Sequence, residues 1–550
     1  MKKTIFILIA IICFLLNSCN DLLTQPEYYL SNIETEQELE LAVNAVNDYF
    51  LLYLNDISIQ NSEIFADDQF VVFGMGSALS PAATDHYEGY YSLKKGIKGT
   101  ESFQIALYDW RKVYSVIASI NNILCQYDMS SIKDNKTKEL LGELVFLRAY
   151  LHYRLTLIYG RIPIVANNEV SYTSKRSAVN EVYEFIESEL LTAIEMLPSN
   201  ITTSRLPYET PDQGCAKALL GEVYLSWAGY PANDASKYKL SAKTTGEIID
   251  SASFYNYDLL PDFEDLWNKE MYHNNEEIFC RYIDPKIIQR RRYLGRYTLV
   301  KYLRGGGFGY DGKGRIGFSN GYPSPEIEFY NSYPKNYRKD ITFYTRIYVD
   351  SMTIYGHTNY PGSGIDPNPL LAAGLDTGYF YVDKTDFTSR AAYRKFFIDT
   401  IFSSKGFSED TGDNYSGSRR IYLIRFAQTL LTYAEASARS GNLNDKAYEC
   451  VNKVRRRANH LPLDSPSPYD LQPGLSSEAF ADSVVRERAW ELAGEIGHRW
   501  FDMVRTQTVK KVFEQHDPND GGPFEYSTND KYFFPIPEND VYLNPNLGKQ

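Results

Sequence analysis

Several short patterns in this sequence have the residue types that chemistry requires. Gly307-x-Gly309-x-x-Gly312 has the spacing of a dinucleotide fingerprint, and Gly307-x4-Gly312-Lys313 approaches a phosphate-binding loop. The second needs a hydroxyl after the lysine to ligate magnesium, and residue 314 is glycine. Both need a helix directly behind them, whereas 315–325 carries further turn signals and reads as loop. Gly317-Phe318-Ser319-Asn320-Gly321 matches a nucleophile elbow, but Tyr322-Pro323-Ser324-Pro325 bars the helix that must follow the serine.

A charged set, Arg486, Glu487, Arg488, Glu491, Glu495, His498, Arg499 and Asp502, has the composition of acid–base machinery. It shares a predicted helix with Val485, Ala489, Leu492, Ala493 and Ile496, an apolar stripe that turns one face to a core. Arg and Glu beside such a stripe are expected to fix helix packing as buried ion pairs. With seven histidines and no HExxH motif, nothing supports a metal site, and no cofactor is implied. A hydrolase would need paired carboxylates on loops; Asp67, Asp68, Asp85 and Glu88 are the candidates near an aromatic cluster.

Aromatic residues are the constructive signal. The chain holds 46 Tyr, 29 Phe and 5 Trp. A tyrosine or tryptophan ring offers an apolar face with a polar edge, which suits a pyranose, whose CH face stacks while its hydroxyl rim takes hydrogen bonds. Tyrosines in helices, such as Tyr150 and Tyr224, are assigned to packing. Two loop clusters remain as ligand candidates: Tyr87, Tyr90 and Tyr91 in the run 85–91, and Tyr302, Arg304, Phe308 and Tyr310 in the Gly-rich middle. Trp267 is a further candidate.

The N-terminus suggests the compartment. Lys2 and Lys3 precede the apolar run Ile5 to Leu16, and Leu16-Asn17-Ser18-Cys19 follows. A basic start and a short apolar centre form a secretory signal, and a Cys at the cut resembles a lipobox. We expect residues 1–18 to be removed, Cys19 to be lipidated and 19–34 to form a tether. Two or three acyl chains hold a protein on a membrane stably, where one does not. The formal charge of −13, from 57 basic and 70 acidic side chains, argues against nucleic acid. Cys125, Cys215, Cys280 and Cys450 remain, without metal spacing; Cys125, Cys215 and Cys450 sit among apolar neighbours in predicted helices, and disulfide pairing stays open.

Helical periodicity is expected over 37–54 (Leu41, Ala45, Val46, Tyr49, Leu52), 110–126, 138–159, 179–197, 215–229, 239–250, 421–440 and 445–459. The clearest stripe is Leu140, Leu144, Leu147, Leu151, Leu155 and Ile158, ended by Gly160. Leu220-Gly221-x-x-Tyr224 is the signature of a tetratricopeptide first helix, where the glycine admits a close partner. The fold class is therefore mainly α, with four degenerate helix pairs. Between 258 and 420 the helical period fails, and short strands with long loops are expected. This divides the mature chain into a helical region at 35–257, a loop-rich insertion at 258–420 and a C-terminal region at 421–550.

The C-terminal region carries a family resemblance. Tyr433-Ala434-Glu435-Ala436, Asn452-Lys453-Val454-Arg455-Arg456-Arg457-Ala458, Glu487-Arg488-x-x-Glu491-Leu492 and Gly497-His498-Arg499-Trp500-Phe501-Asp502-Met503-Val504-Arg505 occur in that order. Phe534-Pro535-Ile536-Pro537 and Asn544-Pro545-Asn546 follow. Leu147-Arg148-Ala149-Tyr150 with Tyr159-Gly160-x-x-Pro163, then Pro325-Glu326 and Thr377-Gly378-Tyr379, extend the series upstream. The ordered set resembles the SusD/RagB family of nutrient-binding outer-membrane lipoproteins. Ile496 stands where that family's pattern has Glu, and the usual C-terminal segment is shortened to Gly548-Lys549-Gln550.

The resemblance implies a scaffold of four tetratricopeptide-like units on the outer leaflet. It would capture a glycan as the lid of a SusC-like TonB-dependent transporter, without catalysis. The same role for a peptide or another nutrient is the alternative, and a secreted hydrolase is a third reading.

Overall fold

The computed structural model of the chain describes residues 32–54, 66–68, 104–169, 173–199, 209–268, 271, 273–283, 325, 327–344, 346–349, 378–381, 392–393, 395, 419–514 and 532–549. At its centre the strongest apolar stripe of the sequence forms helix α3 (Asn135–Tyr159). Asp134 caps its first turn by accepting the Thr137 N–H at 2.7 Å, and Gly160, at φ +70°, ends it. Every residue of the expected stripe is buried, and so is nearly all of the helix behind Glu139. Neighbours surround it: α1 (Glu36–Leu54), α2 (Gln104–Leu124), α4 (Val179–Met196) and α5 (Gln213–Ala228) all pack on it.

The helices pair along the chain, α1 with α2, α3 with α4, and α5 with α6 (Lys237–Asp250). Late in the chain α9 (Phe426–Arg439) pairs with α10 (Asp445–Ala458), and α9 also lies against α6 and α11 (Ser477–Glu491). The scaffold is mainly helical with four pairs, as the sequence implies. A single hydrophobic core runs through all of them.

Between the third and fourth pairs lie the short elements. Strand β1 (Glu277–Ile283) is followed by helices α7 (Ile327–Ser332) and α8 (Tyr337–Thr342). Next come strands β2 (Phe343–Tyr344), β3 (Arg346–Val349), β4 (Gly378–Tyr381), β5 (Ala392–Tyr393) and β6 (Arg419–Arg425). Among the described residues these form three antiparallel ribbons, β1–β6, β2–β5 and β3–β4, with Cys280 opposite Tyr422 in the first. After α11 come α12 (Arg499–Arg505), α13 (Val509–Phe513) and α14 (Glu538–Leu543). No helix of the described residues is long and apolar enough to cross a membrane.

Four expectations need correction. The helix expected over 421–440 starts only at Phe426, because residues 419–425 form β6. Ile421 to Ile424 are all buried, and a continuous apolar run has no period by which to tell a strand from a helix. In α1 the buried face is Leu39, Val43, Val46, Phe50 and Tyr53, while Leu41 is 59% exposed. Two apolar stripes overlap there, and the one with the larger rings faces α3. The charged helix stops at Glu491, since Gly494 and Gly497 adopt φ of +74° and +97° and break it before α12. Cys125 lies one residue beyond α2 and is exposed; Cys215, Cys280 and Cys450 are buried, and all four are free thiols.

The close approach expected at Gly221 is realised. A Cβ there would stand 2.4 Å from Thr245 Cγ2 on α6, and Ser241 Oγ donates to the Gly221 carbonyl at 2.8 Å. Gly221→Ala should therefore destabilise the fold by about 1–3 kcal/mol through overpacking, despite the better helix propensity of alanine. Adding Thr245→Ser removes the clashing methyl but keeps the hydroxyl that donates to Ser241 O at 2.7 Å. Thermal unfolding of the double variant should recover most of the loss; no recovery would mean that the glycine is not there for contact.

Candidate functional site

The charged residues of the C-terminal motifs converge in two buried clusters. In the first, Glu491 on α11 receives Arg338 from α8, Arg425 from the end of β6 and Arg457 from the end of α10, each at 2.7 Å. Arg425 also reaches Glu276, just before β1, at 2.8 Å and Glu495 at 2.9 Å, and it donates to the Glu491 carbonyl at 2.8 Å. Arg457 pairs with Glu276, Arg338 with Glu487 at 2.7 Å, and Lys395 with Glu495 at 2.8 Å. These side chains are at most a few per cent exposed.

In the second cluster Arg488 on α11 binds Asp502 at 3.0 Å and Glu222 of α5 at 3.1 Å. Arg505 grips Glu435 of α9 through two bonds of 2.6 and 2.7 Å and Asp502 through a third of 2.8 Å. A third fork lies in the N-terminal half, where Arg148 binds Glu189 at 2.6 and 2.9 Å and Asn121 at 2.8 Å, tying α3 to α4 and α2.

Electrostatics decide what these groups can do. Burial alone would raise the Glu491 carboxyl, but the guanidiniums of Arg457, Arg425 and Arg338 hold it well below the usual carboxylate range. Asp502 is depressed in the same way by Arg488 and Arg505, and Glu435 by Arg505 and Arg439. A carboxylate locked between arginines and sealed from water neither donates a proton near neutrality nor meets a substrate. The charged set expected to fix packing does so apart from Arg486, which is exposed, and it does so across a broken helix rather than along one.

Two of the candidate hydrolytic carboxylates are likewise committed. Asp67 is held by a two-pronged fork from Arg499, at 2.7 and 2.8 Å. Asp68 accepts the Gly494 N–H at 2.8 Å, and its carbonyl accepts the Tyr393 hydroxyl. Asp85 and Glu88 lie outside the described residues, as do Cys19, Tyr87, Tyr90, Tyr91, Tyr302, Arg304, Phe308, Tyr310 and the Gly-rich patterns at 307–321. Among the described residues no group of three or more His, Cys, Asp or Glu could hold a metal ion.

Trp267 is described, at the end of a 3-10 turn (Glu264–Trp267). It is half-buried against the satellite core of Leu260, Phe263, Leu266, Cys280, Ile341 and Tyr422. Its ring meets Tyr422 edge-on at 5.5 Å, and Lys395 Nζ stands 4.7 Å from its centre. These contacts hold the ring in place.

What the described frame offers a ligand face is a set of fixed loop roots. Residue 68 leads into 69–103, Ile283 into 284–324, and Lys395 into 396–418. Ile283 is held by β1–β6 pairing, Lys395 by the first cluster, and Asp68 by Gly494 and Tyr393. Sequence reading missed Arg338, Glu276 and Lys395, which lie between 258 and 420, where the helical period fails, and whose partners are distant in sequence; it also missed Arg425.

Comparison with known proteins follows from this frame. A model described as the SusD family matches residues 297–550, and one described as starch-binding, associating with outer membrane, matches 73–225. SusD-like protein P2 of Formosa agariphila is 25% identical over 80% of this chain and 78% of its own. The crystal structure of a SusD homolog from Bacteroides thetaiotaomicron superposes with a TM-score of 0.66 at 22% identity, over 95% of this chain and 98% of that one. Surface glycan-binding protein A of the same species, solved with laminarihexaose, gives 0.66 at 20% identity over 92% and 98%.

The buried histidines make stability depend on pH. Burial drives His152 down to about 4, with Arg148 nearby, and His498 also to about 4. Nδ1 of His152 donates to the Arg148 carbonyl at 2.8 Å, and Nε2 accepts the Val165 N–H at 3.2 Å, so the neutral ring is the one that fits. A folded-state value below the unfolded one gives stability that is present above about 6.5 and lost as pH falls through about 4. The stability gap between wild type and His152→Gln should therefore be widest above pH 7. It should narrow by on the order of 3 kcal/mol toward pH 4. A gap that stays constant across this range in denaturant titrations would contradict the buried neutral histidine.

Proposed function

From the premise that this chain belongs to the SusD/RagB family, we propose that it captures a glycan at the outer surface of the outer membrane and does not cleave it. The match of residues 73–225 to a starch-binding model carries this reading most directly, because that stretch contains Tyr87, Tyr90 and Tyr91. The laminarihexaose complex of a protein with the same fold supports it. Residues 1–18 are a secretion signal, Cys19 bears the lipid, and the body caps a SusC-like TonB-dependent transporter to which it hands the ligand.

Capture works by surface rather than by reaction. Tyr87, Tyr90, Tyr91, Tyr302, Phe308 and Tyr310 supply flat apolar faces for the CH side of successive sugar rings, while Arg304 donates to their hydroxyl rims. Trp267, half-buried with its ring held by Lys395 and Tyr422, is the further candidate for this set. Shallow stacking gives affinities of about micromolar to millimolar, some −8 to −4 kcal/mol, which suits a protein that must release what it catches. Asp67, Glu491 and Asp502 are paired with arginines inside the scaffold, which supports binding without hydrolysis.

Affinity electrophoresis of the mature protein against a panel of soluble polysaccharides tests this. At least one glycan should retard the protein and stay uncleaved, and Tyr90→Ala or Tyr310→Ala should weaken binding by roughly 1 kcal/mol or more. Retardation by none, with heat released instead on titration of peptides, would move the ligand class to peptides. Release of reducing sugar that disappears on replacing Asp85 or Glu88 would make the protein a hydrolase.

A further inference from the structure

Ala66, Asp67 and Asp68 form a short turn with little apolar content, yet Asp67 is 6% and Asp68 0% exposed. Burying two successive carboxylates is costly unless partners meet them. The partners come from far along the chain. Arg499, itself largely buried, grips both oxygens of Asp67 with its guanidinium fork. The Gly494 N–H donates to Asp68 Oδ2 at 2.8 Å, and the Tyr393 hydroxyl donates to the Asp68 carbonyl. The Tyr393 ring lies so close on Gly494 that a Cβ there would meet it at 2.8 Å, and Gly494 has φ +74°. Two residues on, Lys395 pairs with Glu495, which Arg425 also holds at 2.9 and 3.0 Å.

We propose that this meeting of the 66–68 turn, Tyr393, Lys395 and the 492–499 segment is a positioning clasp for ligand capture, with Arg499 and Asp67 as its positioning residues. The inference rests on the capture reading above.

The chain leaves the clasp at residue 68 directly into 69–103, which carries Tyr87, Tyr90 and Tyr91, and at residue 395 into 396–418. An apolar contact would bury the turn without orienting it, since hydrophobic attraction has no direction. A planar fork closing on a carboxylate sets both the position and the angle of the departing chain. The 492–499 segment then refers that angle to the first charge cluster through Glu495. A binding face fixed in advance loses less freedom when the ligand arrives, so its affinity is higher.

Three variants test the clasp: Asp67→Asn, Arg499→Lys, which keeps the charge but loses the fork, and Gly494→Ala, which displaces Tyr393. Each is compared with wild type in three measurements: affinity for a glycan that retards wild type, unfolding midpoint, and the rate of trypsin cleavage after Lys94, Lys95 and Lys98. We expect affinity to fall about tenfold or more, cleavage to accelerate, and unfolding to remain cooperative well above the assay temperature. The exchanged pair Asp67→Arg with Arg499→Asp should recover part of both losses. Binding within about twofold of wild type with unchanged cleavage would overturn the proposal. So would losses of affinity that merely track unfolding in every variant. If wild type binds no glycan, the capture reading fails, and the cleavage rates still decide for or against the clasp.

Discussion

Four cations, Arg338, Arg425, Arg457 and Lys395, and four carboxylates, Glu276, Glu487, Glu491 and Glu495, share one dry region where α8, β1, β6, α10 and α11 meet. The rest of the structure depends on this balance. Each ion costs several kcal/mol to take out of water, and only its neighbours repay that cost, so losing one partner leaves the others uncompensated. Apolar side chains of similar size could hold the same elements together. Forks on carboxylates add direction, and that fixes how a helical scaffold and an irregular middle segment meet.

The consequences pass outward in steps. Arg425 closes β6, so the pairing of β6 with β1 and the start of α9 are set by the same residue that neutralises Glu491 and Glu495. Glu495 lies in the segment that breaks the helix at Gly494 and Gly497, and from there Arg499 and Gly494 reach the 66–68 turn. Arg488, Asp502, Arg505, Glu435 and Glu222 perform the equivalent task between α5, α9, α11 and α12. The motifs by which the family is recognised are thus the connections of a frame. The aromatic segments that would meet a sugar are rooted in it.

How far the sequence carried depended on the physics of each segment. α3 was legible because one strong stripe, an Asp cap and a terminal glycine agree. Gly221 was legible because the signature around it states a contact, and the Thr245 methyl is there to meet it. α1 has two overlapping stripes, and only the bulk of Phe50 and Tyr53 against the core decided between them. β6 was unreadable locally, since its apolar run becomes a strand through pairing with a segment over a hundred residues away. The charged helix was continued too far because a glycine inside a periodic run does not announce a positive φ. Charges such as Arg338 and Lys395 gave no signal, because a buried ion pair is a property of two distant positions at once.

The charged signature builds the frame, and the loop aromatics are proposed to bind the ligand; a single substitution separates the two roles. Asp502→Asn tests this most directly, with unfolding midpoint and glycan affinity measured on the same preparation. Asp502 serves Arg488 and Arg505 within the second cluster, and the clasp contacts described above do not include it. The unfolding midpoint should fall clearly, with a loss of the size expected when one partner of a buried pair is removed (about 3–5 kcal/mol). Affinity measured below the transition should stay within about twofold of wild type. An unchanged midpoint with binding abolished would place the ligand at the charged cluster and rule out a purely structural role for it.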